Sequence, residues 1–304
     1  MTHYELIASN KQKSWVIITL FMIFIVGAVY LMSVGLGYGL DLVGIALIVS
    51  GMMSFASYWW SDSIILSISG ARPANREEFF DFYTVTENIA NGQRLPMPKL
   101  YVIEDTAMNA FATGRDPQHA AVVATTGLLS RLDRAEIEGV VAHELSHVQN
   151  YDIRLMSIVT ILVGMIALLS DWMLRISFRR GSRNNDREGG QLQVIFMIAG
   201  IALALLSPII AQLIQLAISR KREFLADASA VGMTKNPEGL ARALEAISQD
   251  KEPLEVANKA TAHLYIANPL KNRHDAVGWF AGMFQTHPPV EERIAALKNL
   301  TGAV

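Results

Sequence analysis

Two histidines and a glutamate stand at a spacing that can hold a metal ion. His143, Glu144 and His147 form the pattern H-E-x-x-H inside an apolar stretch, 139–148. Residues four apart share one face of a helix, so both imidazoles can reach a single ion. Glu144 lies beside the first histidine, placed to take a proton from an attacking water. The pattern therefore predicts the centre of a zinc protease.

The surrounding residues predict a helix that carries this pattern. Ser130 and Asp133 are both candidate N-caps, and Asp133 with Glu136 has the spacing of a capping box. Apolar residues continue at helical spacing through the motif: Ile137, Val140, Val141, Leu145 and Val148. The alternative is a buried polar pair on an ordinary helix, which the cost of burying such groups without a partner disfavours.

A catalytic zinc site needs a third protein ligand, and the chain contains no cysteine to supply it. Glu223 and Asp227 are four residues apart, so they share a face if this segment is a helix. Glu223 can then complete a His₂Glu site, and Asp227 can hydrogen-bond the outer nitrogen of a ligating histidine. The alternative is an ordinary pattern of charges on a solvated helix.

The composition predicts a membrane protein. The chain is 51% hydrophobic and 18% charged, with a mean hydropathy of +0.28, which is too apolar for a typical soluble domain. Its net charge of −2 indicates neither nucleic acid nor another polyanion as a partner. Apolar segments long enough to span a bilayer predict four transmembrane helices: 15–35, 42–60, 153–174 and 191–219. Buried core helices of a soluble protein are the alternative.

Basic residues predict how these spans are oriented. Lys11 and Lys13 precede the first span, two arginines follow the second, and the basic run 220–222 follows the fourth. These charges place the N-terminus and the region after residue 60 in the cytoplasm. The arginine-rich segment 175–190 disagrees, because it faces outward if the third and fourth spans both cross. We predict that they cross; a partly inserted second hairpin is the alternative.

The spans also bring the two halves of the metal site together. The H-E-x-x-H helix runs directly into the third span, and the Glu223 helix follows directly on the fourth. Because an antiparallel hairpin returns its outer ends to one membrane face, the active site should lie at the cytoplasmic surface. The predicted parts are an N-terminal transmembrane hairpin (1–60), a cytosolic metalloprotease part (61–152), a second transmembrane hairpin (153–219) and a C-terminal helical part (220–304).

Short β-strands are predicted ahead of the motif. Segments 100–104 and 120–125 are β-branched and bounded by turns, and 109–114 between them can form a third strand. Proteases often hold a peptide extended against a sheet edge. The candidate edge consists of Asn109, Ala110, Phe111, Ala112 and Thr113. For Phe111, packing in the core is an equally supported interpretation.

The segment 286–293 predicts the start of a C-terminal helix. Prolines occupy the first turn and acidic residues follow. His287 then lies at the positive end of the helix, where it can stabilise an oxyanion. From the residues alone, helix capping is the better-supported role for His287.

With these motifs in place, the whole chain resembles the HtpX family of bacterial membrane zinc metalloproteases, gluzincin-type enzymes related to the CAAX prenyl proteases. The motifs that carry the resemblance are HELSH at 143–147, EFLAD at 223–227 and THPPVEERI at 286–294. The resemblance implies one Zn²⁺ per chain, Glu144 as the general base, and these metal ligands: His143, His147 and Glu223. It further implies that Asp227, Arg293 and His287 organise the site or stabilise the transition state.

The resemblance also implies a fold and a biological role. The expected fold is mostly α, α+β, with four transmembrane helices and a zincin-like metalloprotease domain built from a small β-sheet and the H-E-x-x-H helix. The expected setting is the bacterial cytoplasmic (inner) membrane, with the active site facing the cytoplasm. The expected activity is hydrolysis of misfolded or damaged membrane proteins during stress, with the lipid bilayer as a further partner and no nucleic acid.

Two other functions remain open from the sequence. A CAAX-type prenyl protease would cleave a lipidated C-terminal peptide, although four spans are few for the enclosed chamber of those relatives. A non-catalytic, zinc-stabilised membrane scaffold belongs to a different class. Glu144 disfavours a scaffold, because a structural zinc site needs a fourth ligand and not a base. The sequence leaves the oligomeric state open.

Overall fold

The computed structural model of the chain describes residues 3–35, 41–162, 164–166, 198, 220–255, 261, 264–267 and 288–301. Several predicted features lie outside the described residues: the end of the third apolar segment, nearly all of the fourth, the arginine-rich segment 175–190, and His287.

The N-terminal apolar segments form two long helices. Helix α1 spans His3–Gly35 and helix α2 spans Asp41–Trp59, and the two pack against each other. One side of α1 packs on the helical segment 152–162 through Ile18, Phe21 and Ile25. Other sides of both helices expose large apolar side chains, among them Trp15, Ile23, Ile48, Met52 and Phe55.

Within the described residues, none of the helices by itself combines the length and hydropathy of a membrane span. One pair meets both requirements jointly: Val43–Trp59 continues into helix α3, Ser61–Ile68, across a bend of 84°. The count of four spans therefore stays a prediction.

A small mixed sheet lies at the centre of the remaining part. Its strands are β1 (Arg72–Pro73), β2 (Lys99–Ile103), β3 (Ala110–Gly114) and β4 (Ala120–Thr125), in the order β1-β2-β4-β3. Strands β2 and β4 are parallel, and the two outer strands run antiparallel to them. The three predicted strands are confirmed to within one residue at their ends, and β3 forms an edge of the sheet.

Helices cover the sheet and carry most of the catalytic motif residues. They are α4 (Phe80–Gly92), α5 (Thr126–Arg131), α6 (Arg134–Gln149), α7 (Arg220–Thr234), α8 (Pro237–Gln249) and α9 (Val290–Thr301). Because strand side chains alternate between faces, Ala112 and Val122 join the cluster that contains α6, whereas Phe111 and Val123 join a second cluster with Leu155. The sheet is therefore buried on both faces, and the predicted mostly helical fold with a small sheet is confirmed.

The start of α6 is set by a capping box. Asp133 accepts a hydrogen bond from the Glu136 N–H at 2.8 Å, and the Glu136 carboxylate accepts from the Asp133 N–H at 2.9 Å. Of the two candidate caps, Asp133 is confirmed, whereas the Ser130 hydroxyl donates to the Gly127 carbonyl within α5. This cap places the first histidine of the motif almost three turns into α6, where the helix is buried.

Candidate active site

The H-E-x-x-H histidines and Glu223 meet where α6 packs against α7. His143, His147 and Glu223 are 1%, 4% and 0% exposed. The Nε2 atoms of His143 and His147 lie 3.3 Å apart. Glu223 places one carboxylate oxygen 3.7 Å from His143 Nε2 and the other 3.6 Å from His147 Nε2. Three potential ligand atoms thus face one small volume.

His143 is oriented from its outer side by a buried ion pair. Its Nδ1 lies 3.0 Å from an oxygen of Asp227, and Arg293 binds that carboxylate with two donors at 2.9 and 2.7 Å. Burial favours the neutral acid, but the hydrogen bonds with His143 and Arg293 outweigh it and lower the pKa of Asp227 to about 2. Arg293 also donates to the Ile266 carbonyl at 3.3 Å, which attaches segment 264–267 to the site.

His147 has its own carboxylate, which the sequence analysis did not identify. Its Nδ1 lies 3.0 Å from Asp152 Oδ2. The other Asp152 oxygen lies 3.1 Å from the Arg222 guanidinium and accepts from the Asn10 amide at 2.7 Å. Asn10 also donates to the Asn150 carbonyl at 2.9 Å and accepts from Arg222. Each histidine is therefore held by one carboxylate, and each carboxylate by one arginine.

Arg222 has a different position from the one its sequence context indicates. The basic run 220–222 is predicted to flank the fourth span, but Arg222 is 9% exposed and paired with Asp152. At this end only Arg220 and Lys221, which are exposed, therefore support the predicted orientation. The available signal for Arg222 was its position next to Glu223, the first residue of the EFLAD motif.

The outer carboxylates determine which ring nitrogens are free to bind a metal. A carboxylate only accepts, so Asp227 and Asp152 keep protons on the Nδ1 atoms of His143 and His147. When both rings are neutral, their Nε2 lone pairs are then free on the side of the Glu223 carboxylate. Ligands at 2.0–2.1 Å from a tetrahedral zinc stand roughly 3.3 Å apart, which agrees with the observed separations of 3.3–3.7 Å. The donor set therefore fits a divalent metal.

The two histidines differ in their affinity for protons. Burial and the positive charge of Arg293 lower the pKa of His143 to about 4. Burial also disfavours the charged form of His147, but the hydrogen bond with Asp152 and the charge of Glu223 outweigh it and raise the pKa to about 9. At neutral pH, His143 is ready to bind a metal, whereas His147 holds a proton that the metal must displace.

Glu144 directly follows His143 in the buried stretch of α6. It is 3% exposed, and its charge contributes to the raised pKa values of both His147 and Arg293. The negative charge of Glu144 therefore acts on His147 and Arg293. His287, the other predicted catalytic residue, lies outside the described residues, while Arg293 of the same motif lies within the site.

The predicted substrate edge lies beside the site but is largely buried. Asn109 precedes β3 and exchanges hydrogen bonds with Ala267, and the Ala110 carbonyl accepts from the Ile266 N–H at 2.9 Å. Phe111 is 0% exposed and packs edge-on against Tyr265, with ring centroids 5.0 Å apart. Of its two interpretations, the structure therefore supports core packing for the Phe111 side chain.

Along the edge strand β3, the backbone N–H and C=O groups of successive residues point alternately toward β4 and away from it. Asn109 pairs with Thr125 of β4, so Phe111 and Thr113 direct their backbone groups toward β4 as well. Ala112 directs its N–H and C=O away from the sheet, and neither has a hydrogen-bond partner among the described residues.

Comparison with known proteins identifies the family. The model of the family described as Peptidase family M48 matches residues 78–301. A protein named Protease HtpX homolog from Dictyoglomus thermophilum is 41% identical over 299 residues, covering 98% of this chain and 95% of its own length. Homologues of the same name from Thermoanaerobacter pseudethanolicus and Streptococcus uberis are 40% and 39% identical, over 99% and 98% of this chain.

The chain belongs to peptidase family M48. The predicted resemblance to the HtpX proteases is thereby confirmed, and this M48 peptidase is a zinc metalloprotease and not a scaffold. Among solved structures, S. mikatae Ste24p matches with 21% identity and a TM-score of 0.48. That match covers 94% of this peptidase but 66% of the Ste24p chain.

Proposed function

We propose that the protein is a membrane-integral endopeptidase that uses one Zn²⁺ to hydrolyse misfolded membrane proteins at the cytoplasmic face. The observation that carries this proposal is the convergence of His143, His147 and Glu223, whose ligand atoms all lie within 4.8 Å of one another, together with the buried Glu144 directly after His143 on α6. Such a site offers three protein ligands and a base, which is the set that metal-assisted hydrolysis requires.

Each residue of the site has a defined part in the proposed mechanism. His143, His147 and Glu223 would hold the zinc ion, which would supply a Lewis acid to polarise the scissile carbonyl and acidify water. Glu144 takes a proton from the attacking water and passes it to the leaving amine. Asp227 and Asp152 hold the two imidazoles in the tautomer that presents Nε2 to the metal. His287 is proposed, on the family resemblance, to support the oxyanion.

The substrate is proposed to bind in extended form along β3. The chain's own groups already bond both ends of this edge, with Ile266 at Ala110 and the Ser157 hydroxyl at the Gly114 N–H. Ala112 lies between them with its backbone groups directed outward, so one residue of a substrate peptide can pair there. A site that binds a peptide through hydrogen bonds to its backbone accepts many sequences, as removal of damaged proteins requires.

The location in the membrane is supported by the N-terminal helices. Exposed apolar side chains cover the outer sides of α1 and α2, including Ile23 at 63% and Ile48 at 64% exposure. In water such a surface is costly, whereas lipid chains cover it without loss. The basic residues next to the first and second predicted spans support a cytoplasmic location for the catalytic part.

The test compares Glu144→Ala with the wild-type protein. Solubilised full-length protein is incubated with an unfolded substrate, with and without a metal chelator. We expect Glu144→Ala to keep its zinc and to lose hydrolysis by about 10²–10⁴-fold, as removal of a general base does. Glu138→Ala, on a half-buried position of the same helix, is the matched control and should stay active. Cleavage by Glu144→Ala at the wild-type rate contradicts the mechanism.

A further inference from the structure

Asn10 is a buried amide on the N-terminal helix. It lies on α1, ahead of the apolar segment that begins at Trp15, and is 2% exposed. A buried amide that lacks hydrogen bonds destabilises a fold, so its partners show why an asparagine is tolerated there. Those partners are not on its own helix or on α2, but 140 and 212 residues further along the chain.

The amide of Asn10 uses donor and acceptor groups on three elements. Its nitrogen donates to the Asn150 carbonyl at the end of α6 and to the Asp152 carboxylate, at 2.9 and 2.7 Å. Its oxygen accepts from Arg222 in the first turn of α7. We call Asn10, Asn150, Asp152 and Arg222 the Asn10 network. It is the point where α1 is joined by hydrogen bonds to both helices that supply metal ligands.

Asp152 connects the Asn10 network to the metal site. One of its oxygens contacts Asn10 and Arg222, and the other lies 3.0 Å from His147 Nδ1. Fixing the first oxygen fixes the plane of the carboxylate, and hence the direction from which the second oxygen meets the imidazole. The Asp152 side chain is 4% exposed, so water does not replace a lost partner easily.

A break in the helix before Asp152 allows its side chain to reach His147. On a continuous helix, a residue five positions after His147 points about 140° away from it, because each residue turns the helix by about 100°. The chain instead breaks at Tyr151, which adopts the left-handed conformation with φ of 60°. This conformation costs a non-glycine residue about 1 kcal/mol. The ring of Tyr151 lies 4.5 Å from the Lys11 ammonium of α1, which gives a second contact to the same helix.

The two metal-binding histidines thus depend on different parts of the chain. His143 is oriented by Asp227 and Arg293, both within the catalytic part. His147 is oriented by Asp152, whose remaining partners are Arg222 and, from the N-terminal hairpin, Asn10. Among the described residues, a residue of α1 takes part on the His147 side and not on the His143 side.

We propose that Asn10 is a positioning residue for the metal ligand His147, acting through Asp152, so that docking of α1 forms part of the active site. The inference rests on the proposed metal site. It gives the N-terminal hairpin a second role besides anchoring: a molecule in which α1 has moved away loses the correct orientation of one ligand, and with it part of its affinity for zinc.

The test measures zinc affinity of the solubilised full-length protein by competition with a fluorescent chelator. Removing the carboxylate that hydrogen-bonds the outer nitrogen of a ligating histidine lowers metal affinity by about 10–100-fold. We expect a loss in that range for Asp152→Asn and a loss of about tenfold for Asn10→Leu, which keeps the branched side-chain skeleton and removes the amide. The kcat of Asn10→Leu should fall while its KM stays unchanged, because Asn10 does not contact the substrate.

A double variant tests whether Asn10 acts through Asp152. If it does, Asn10→Leu combined with Asp152→Asn should bind zinc about as weakly as Asp152→Asn alone, since coupled residues are not additive. Losses that multiply instead show that Asn10 acts by another route, and overturn the proposal. Should Asn10→Leu fold poorly, Asn10→Ala carries the same expectations.

The control is Ser14→Ala, one turn further along α1. Ser14 is 1% exposed and donates to the Asn10 carbonyl at 2.8 Å, so it has equal burial but no contact with the carboxylate. It should bind zinc like the wild type. An Asn10→Leu protein that binds zinc as tightly as wild type overturns only the role of Asn10, whereas a wild-type protein that binds no zinc overturns the proposed metal site.

Discussion

At the scale of single residues, the site combines two chemically identical ligands in different charge states. His143 is kept neutral by burial and Arg293, and His147 is kept charged by Asp152 and Glu223 when no metal is bound. Without a metal ion, the positive charge of protonated His147 offsets part of the negative charge of Asp152 and Glu223. The arrangement therefore keeps the buried carboxylates paired before the metal arrives.

The charge on His147 predicts a strong dependence of zinc affinity on pH. Zinc must displace a proton whose pKa is about 9 instead of the ordinary 6.5, so affinity should rise about tenfold per pH unit from pH 7 up to about pH 9. Competition with a chelator of known pH dependence measures this slope. An affinity that levels off just above pH 7 would show that His147 titrates at its ordinary value.

Glu223 is the one carboxylate among the three proposed ligands, so its removal should lower the metal content directly. We expect Glu223→Ala to bind zinc more weakly by at least about 100-fold, because a tetrahedral site loses a protein ligand and a negative charge. Metal analysis after dialysis against a weak chelator measures the change, with Glu138→Ala as the control. Unchanged zinc content in Glu223→Ala would remove Glu223 from the ligand set.

At the scale of elements, the position of α6 is set by its cap and by a close crossing with α8. A Cβ atom added at Gly139 would lie 2.6 Å from the Leu240 backbone nitrogen, closer than real contacts allow. Gly139 is one turn before His143 on α6. The absence of a side chain at this position is what lets α8 pack directly on the helix that carries the metal ligands.

Gly139→Ala should therefore destabilise the fold. Alanine ordinarily favours a helix over glycine by about 1 kcal/mol, but here the added methyl group forces α8 away, which we expect to cost about 1–3 kcal/mol overall. The matched control is Gly92→Ala in α4, where nothing lies within 4 Å of an added Cβ. Thermal unfolding should show a lower Tm for Gly139→Ala only; equal Tm values for both variants would argue against a tight crossing.

At the scale of the whole molecule, the N-terminal helices and the catalytic part have different surfaces, one apolar and the other charged. The outer sides of α1 and α2 are apolar, and the catalytic part beyond residue 70 exposes charged residues such as Arg76, Glu77 and Glu87. The metal site lies where these parts meet, since Asn10 of α1 contacts both α6 and α7. In the proposed membrane location, a catalytic centre at this junction would be close to a substrate that leaves the bilayer.

The predicted topology can be tested with thiol reagents, because the chain contains no cysteine. If the third and fourth apolar segments both cross, Ser182→Cys in the arginine-rich segment should react from outside intact cells with a reagent that does not cross membranes. Glu77→Cys, at an exposed position of the catalytic part, should react only after the cells are opened. Protection of both cysteines in intact cells would indicate a partly inserted hairpin.

What the sequence by itself determined were the features that depend on short-range spacing. The pairs His143/His147 and Glu223/Asp227 were predicted because residues four apart share a helical face wherever the helix lies. The strand positions and the Asp133 cap follow equally local rules, and both are confirmed in the structure.

The tertiary structure decided the features that depend on long-range contact or on a break in regular geometry. Asp152 was missed because it turns toward His147 only through the left-handed residue Tyr151. Arg222 resembled a membrane flank because its partner lies 70 positions earlier in the chain. Asn10, on the N-terminal helix, lies still further away. Local spacing specifies which side chains share a face, but the partners that hold the ligands in position are chosen by how distant helices pack.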